Sequence, residues 1–267
     1  MAELSKIDWT DGTWNVARGC TKVSEECARC YMMRDGERFK YDGEKVQKTK
    51  TVFNLPLKIK QTKSRHTNGS PLIFTSSLTD VFHEDIDSFR NDIWEIIRKS
   101  PHLTFQILTK RPERIAENLP SDWGNGWNNV WLGTSVGLQK NIQRAWDLLK
   151  VPSKKYFLSA EPLLGEMDLN DAELLHKNWR DVITIGKYLD WVVIGGESGN
   201  NNGKYRYRPC KIEWIEKLVY QCKNANIPVF VKQVGTHLSK ELKLKDRHGR
   251  NIDEFPESLK IREFPTK

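Results

Sequence analysis

Residues 72–111 read LIFTSSLTDVFHEDIDSFRNDIWEIIRKSPHLTFQILTKR. Two short β-rich runs, Leu72 to Thr75 and Thr104 to Leu108, bracket a segment in which Phe89, Ile93, Ile96 and Ile97 recur at helical spacing. A strand, a helix and a second strand make one βα crossover unit, and such a crossover brings the second strand in parallel to the first. The alternation continues with Val130 to Gly133, Tyr156 to Leu158, Trp191 to Ile194 and Pro228 to Val231. Between these runs, Leu138, Ile142, Ala145 and Leu149 form one apolar stripe, and Ile212, Ile215, Val219 and Cys222 form another. A shorter run, Thr13 to Val16, precedes them all. The pattern predicts an α/β protein, a partial TIM-like barrel of about six or seven parallel βα units. The barrel is expected over residues 1–235, with a C-terminal extension over 236–267. Cys222, on a core-facing stripe, reads as packing.

Composition sets the class. A chain of 267 residues with 38% hydrophobic side chains can fill one large core. The formal charge of +8 favours anionic partners, nucleic acid among them, although an ordinary solvated basic surface accounts for the same excess. The N-terminal residues MAELSKIDWTDG lack an apolar signal region, and no run approaches about eighteen apolar residues, so a cytoplasmic protein with no membrane partner is expected. Five cysteines, an odd number, point to metal or redox use rather than to a disulfide framework. There is no phosphate-loop motif, and none of the six histidines forms an i, i+4 pair.

The residues just past each strand carry the chemistry. In βα barrels the loops after the strand C-termini hold the catalytic groups. Here those ends carry Ser76, Ser77, Thr79 and Asp80, then Thr109, Lys110 and Arg111, then Thr134 and Ser135, Ser159 and Glu161, Glu197 and Ser198, and Lys232 and Gln233. Helix capping explains several of the Ser, Thr and Asp residues. It explains Lys110, Arg111, Glu161, Glu197 and Lys232 less well, and these are expected on one catalytic rim.

Just after the first short run stands GCTKVSEECARCY, which places Cys20, Cys27 and Cys30 within eleven residues, while Cys210 and Cys222 lie far away. Three thiolates can hold a [4Fe-4S] cluster and leave one iron open. A zinc site completed by His83 or His66 uses the same thiols. Cys210 reads as an inert thiol. The run Lys204, Tyr205, Arg206, Tyr207, Arg208 alternates cations with aromatic rings, a pattern that pairs phosphates and stacks bases, within a stretch expected to be a mobile active-site loop. Most of the ten tryptophans read as packing.

The segments TWNVARGCTKVSEECARCYM, FTSSLTDVFH, LTKRPER, LGTSVG, SAEPLLG, VIGGESG and VFVKQVG resemble the phage-associated three-Cys-motif family, which is similar to radical S-adenosylmethionine enzymes. The resemblance implies that Cys20, Cys27 and Cys30 ligate three irons of a [4Fe-4S] cluster and that S-adenosylmethionine chelates the fourth. Reductive cleavage would then release methionine and a 5′-deoxyadenosyl radical that takes hydrogen from a nucleic acid, a nucleotide or a partner protein. By the same resemblance Asp80 or Ser77 meets the methionine amine and Ser135 meets the ribose. Gly195, Gly196 and Glu197 let backbone approach the adenine or the substrate, and Tyr31 supplies an aromatic surface. Glu161, Glu197, Lys110 and Lys232 are the expected catalytic groups, and a protein partner encoded nearby is implied. The competing expectation is a zinc-stabilised nucleic-acid-binding protein without catalysis.

Overall fold

Strand β1 (Gly12–Trp14) lies parallel to β2 (Leu72–Thr75), β2 to β3 (Thr104–Thr109), and β3 to β4 (Val130–Ser135). Farther along the chain β5 (Tyr156–Ala160) pairs in parallel with β6 (Trp191–Gly195), and β6 with β7 (Val229–Gln233). These seven parallel strands and the helices between them make the partial TIM-like α/β fold expected from the alternating pattern. The computed structural model describes residues 5, 7–170, 172–173 and 183–265. The chain divides into two units, one of residues up to Thr134 with Lys150–Lys155, the other of Ser135–Leu149 and Tyr156–Pro265.

In the first unit, β2 is buried at every position, which is why it reads as an unbroken apolar run rather than an alternating one. Helix α1 (Tyr31–Phe39) comes directly after the cysteines, and α2 (Arg90–Arg98) buries Ile93, Trp94, Ile96 and Ile97, three of the four stripe positions among them. A 3-10 turn, Glu84–Phe89, leads into α2, and His83 caps it by accepting from the backbone N–H of Asp85. Trp14, Trp94 and Trp123 are buried, and each donates its indole N–H to a backbone carbonyl, of Phe53, Asn118 and Pro152 respectively. A buried indole needs such a partner, so these rings are structural.

The second unit is built around β5 to β7, α3 (Gln143–Leu149), α4 (Ile212–Asn224) and α5 (Gly235–Glu241). Cys222 is fully buried on α4 beside Ile215, Leu218 and Val219, as its place on the apolar stripe predicted. The chain then returns along the edge of β7, where Val231 N–H donates to Ile261 and Glu263 N–H donates to Val229. That return leaves β7 with few unpaired edge groups.

Candidate functional site

The cysteine loop is fastened to the ends of β2 and β3 by backbone and side chain together. Gly19 N–H donates to the carbonyl of Leu78, Thr79 Oγ1 donates to Gly19 O at 2.6 Å, and Cys20 N–H donates to Gly43 O. Gly19 has a φ of +105°, and a Cβ there would sit 2.2 Å from Lys45 O, so only glycine fits. Cys27 and Cys30 are held differently, by a local turn in which Cys27 N–H donates to Ser24 O and Cys30 N–H donates to Cys27 O. Tyr31, at the start of α1, donates its hydroxyl to the carbonyl of Ser77, and Ser77 Oγ donates to Asn15 Oδ1 at 3.1 Å. All three loop cysteines are free and partly buried.

Asp80 is the hub of this end. Its carboxylate accepts from Thr109 Oγ1 at 2.7 and 2.9 Å, from the backbone N–H groups of Lys110 and Phe82 at 3.0 Å, and from Arg111 Nη1 at 3.4 Å. Arg111 in turn donates to Cys20 Sγ at 3.6 Å and to Thr21 O and Oγ1 at 3.2 and 2.7 Å. Arg111 and Asp80 are 3% and 6% exposed, so the pair is desolvated. Burial foremost, then the charge of Asp80, pushes the Cys20 thiol up to about 11, while Arg111 pulls it the other way. His83 shares the spot, with Nε2 3.0 Å from Thr21 Oγ1 and Nδ1 accepting from Asp85 N–H. Burial and the neighbouring Arg111 hold it below the ordinary histidine value, which favours the neutral ring. Lys110, partly exposed, contributes its backbone N–H to Asp80.

Sequence reasoning places both Lys110 and Arg111 on the rim and gives a catalytic role to Lys110, whereas Arg111 is the cation that reaches the thiol. Two adjacent cations after a strand carry no signal of which one turns inward. Ser76, named among the strand-end residues, receives no role of its own from the sequence. It has a φ of +70°, rare for a residue with a Cβ, and its buried hydroxyl has no hydrogen-bond partner.

The second unit gathers the remaining candidates. Glu161 Oε1 accepts from Lys232 Nζ at 2.6 Å, and Ser135 Oγ donates to Glu161 O at 3.1 Å. A Cβ on Gly195 would lie 2.7 Å from Glu161 Oε1, and one on Gly196 would lie 2.2 Å from Val234 O. The room these glycines leave is therefore filled by protein atoms, and they are needed for close packing of β6 against its neighbours. Glu197, 6% exposed, accepts from the backbone N–H and Nε of Arg208 at 2.7 and 3.0 Å. The stretch after β6 forms a loop closed by a parallel bridge between Asn200 and Arg206, in which Asn200 N–H donates to Tyr205 O and Tyr207 N–H donates to Asn200 O. Lys204 and Arg206 are exposed on it, and Lys240 lies 5.0 Å from the ring of Tyr207. Cys210 is fully buried, and burial pushes its thiol up to about 12.

Among the described residues, no group of three or more His, Cys, Asp and Glu side chains is gathered closely enough to hold a metal ion. The donor chemistry of the loop nevertheless suits a thiophilic centre, because three free soft ligands share one short segment beside a buried cation. Both ring nitrogens of His83 are in hydrogen bonds, to Thr21 Oγ1 and Asp85 N–H, and His66 Nε2 lies 3.3 Å from Thr10 O.

The family model described as a protein of unknown function, DUF5131, matches residues 4–258. The chain belongs to the DUF5131 family. No curated protein matches this DUF5131 chain. Among solved structures it is similar to a spore photoproduct lyase mutant with dinucleoside spore photoproduct, at 12% identity and a TM-score of 0.43. That likeness covers 61% of this chain and 48% of the other, so the DUF5131 chain spans about half the length of that structure. Among the described residues of the DUF5131 chain, no helix is long and apolar enough to cross a membrane.

Proposed function

We propose that this protein is a radical S-adenosylmethionine enzyme of the three-Cys-motif type, acting on nucleic acid, with Cys20, Cys27 and Cys30 holding a [4Fe-4S] cluster. The reading rests on one observation above the others. Three partly buried free thiols occupy a single loop after β1, bonded to the ends of β2 and β3, and the two ring nitrogens of the neighbouring His83 are engaged by Thr21 and Asp85. Three protein ligands suit a cubane with one open iron, whereas structural zinc sites close with four.

When bound, the cluster and S-adenosylmethionine would supply the reductive cleavage that yields a hydrogen-abstracting radical. The chain's own task is placement and exclusion of water. In this reading Ser77 and Tyr31 border the cofactor beside the cysteine loop, while Asp80 holds the loop in place through Arg111. Ser135, Gly195 and Gly196 shape the ends of β4 and β6. Glu161, poised by the Lys232 ammonium, and Glu197, poised by Arg208, are the substrate-facing carboxylates, and Lys110 attracts an anionic substrate. The formal charge of +8 and the exposed Lys204 and Arg206 favour a polyanion as that substrate.

Anaerobic reconstitution with iron and sulfide tests the proposal, through metal and sulfide content per chain and through formation of 5′-deoxyadenosine with and without added nucleic acid. About four irons and sulfides per chain, with cofactor cleavage, are expected. A colourless protein that retains one zinc would sink the reading.

A further inference from the structure

We propose that Arg111 is the positioning residue of the cysteine centre, aiming Cys20 at the metal and setting a buried positive charge against the sulfur. The inference rests on the metal-thiolate reading above, though not on which metal is held. Arg111 is 3% exposed, and its guanidinium meets four acceptors, namely Cys20 Sγ, Thr21 O, Thr21 Oγ1 and Asp80 Oδ2. A buried cation is retained only when its charge is compensated. Asp80 is the one carboxylate whose hydrogen bond to Arg111 compensates it here, yet Asp80 also receives the Thr109 hydroxyl and two backbone N–H groups, which spread its negative charge. That leaves part of the guanidinium charge directed at the sulfur.

The chemistry of a three-thiolate centre makes use of such a cation. Three thiolates on a divalent ion, or on an oxidised cubane core, sum to a single net negative charge in a site partly removed from water. One guanidinium offsets it. A donor to a ligand sulfur also orients that ligand and draws electron density from it, which strengthens binding and raises the reduction potential of a cluster. The arrangement is asymmetric. Among the hydrogen bonds described for the loop, Arg111 reaches Cys20, while Cys27 and Cys30 are set by the turn from Ser24 to Cys30. Lysine cannot substitute fully, because a point charge cannot span Thr21 and Cys20 as a planar fork does.

The alternative is a purely structural role, in which Arg111 ties the loop to the sheet and nothing more. Titration of the full-length reduced apoprotein with Co2+, read by sulfur-to-cobalt charge-transfer absorption, separates the two, with melting temperatures recorded on the same samples. Arg111→Met is expected to weaken Co2+ binding about 10- to 100-fold, and Arg111→Lys by less. After iron and sulfide reconstitution, the midpoint potential of Arg111→Met should fall below that of the wild type. Unchanged Co2+ affinity with a lowered melting temperature would overturn the proposal, as would a wild type that shows no sulfur-to-cobalt band. Should Arg111→Met fail to fold, the comparison of Arg111→Lys with the wild type decides in its place. A wild type that binds Co2+ but assembles no iron-sulfur cluster removes the radical reading, and the cobalt comparison still decides the role of Arg111.

Discussion

Asp80–Arg111 in the first unit and Glu161–Lys232 in the second are both carboxylate–cation pairs at the ends of parallel strands, yet they sit in different surroundings. The side chains of the first pair are 8% and 4% exposed, and those of the second 17% and 24%. Asp80 accepts from two backbone N–H groups and a hydroxyl besides its cation, so its charge is fully engaged. Glu161 meets Lys232 at 2.6 Å in a more open place. The difference separates a desolvated pair from one that water reaches, and under the proposed function the second is the pair that meets substrate. Deep burial raises the cost of breaking the first and lowers its reactivity, while partial exposure does the reverse.

The sharpest way to break the comparison is to remove the centre that the first pair supports. Cys27→Ala should abolish metal binding altogether, whereas Cys222→Ala, in the core of the second unit, should leave the metal content intact and cost about 1 kcal/mol of stability. Metal analysis and denaturant unfolding on both variants read this directly, and equal metal loss in both would contradict the assignment. Next comes Asp80→Ala, which strands a buried guanidinium. It should destabilise the protein by about 3 to 5 kcal/mol in chemical unfolding. Glu161→Gln is expected to cost about 1 kcal/mol or less, while slowing turnover of substrate about 100-fold. A Glu161→Gln variant as unstable as Asp80→Ala, but fully active, would reverse the distinction between the two pairs.

The smallest expected effect is a pH dependence at the first site. His83 is held below its ordinary value of 6.5, so the folded ring stays neutral where the unfolded chain takes up a proton. This contribution to stability is present above pH 6.5 and is lost as the pH falls toward the folded value. Melting temperatures measured from about pH 7 down to about pH 5 should drop less steeply in His83→Gln than in the wild type. Identical slopes would show that His83 does not titrate differently on folding.

Much of the architecture is legible in the amino-acid order. The β-rich runs at 72–75, 104–108, 130–133, 156–158 and 191–194 all fall inside observed strands, because strands covered on both faces are dominated by apolar side chains, buried Gln106 being an exception. Pro228 to Val231 overlaps β7, shifted by one residue at its start and extended by Lys232 and Gln233. Both are polar residues with partners, Lys232 paired with Glu161 and the buried Gln233 donating its amide to Gly196 O. The strand at Gly12–Trp14 begins one residue earlier than the run suggested and ends before Val16, since Asn15 turns its side chain to Ser77 and Leu78. The glycines after β6 are visible as a motif, but their reason, the close approach of Glu161 and Val234, involves residues more than thirty positions away in each direction.

The division between what sequence and tertiary structure each decide is clearest at LTKR. Periodicity, strand order and the crowding of Cys20, Cys27 and Cys30 are local properties, set by neighbours within a few residues, and the sequence alone determined them. Which of two adjacent cations would be buried is not local. Arg111 goes inward because Asp80, Thr21 and Cys20, from about thirty and about ninety residues earlier, converge on it, while Lys110 stays partly exposed. Only tertiary structure can decide that, because the cost of burying a charge depends on partners brought from distant parts of the chain.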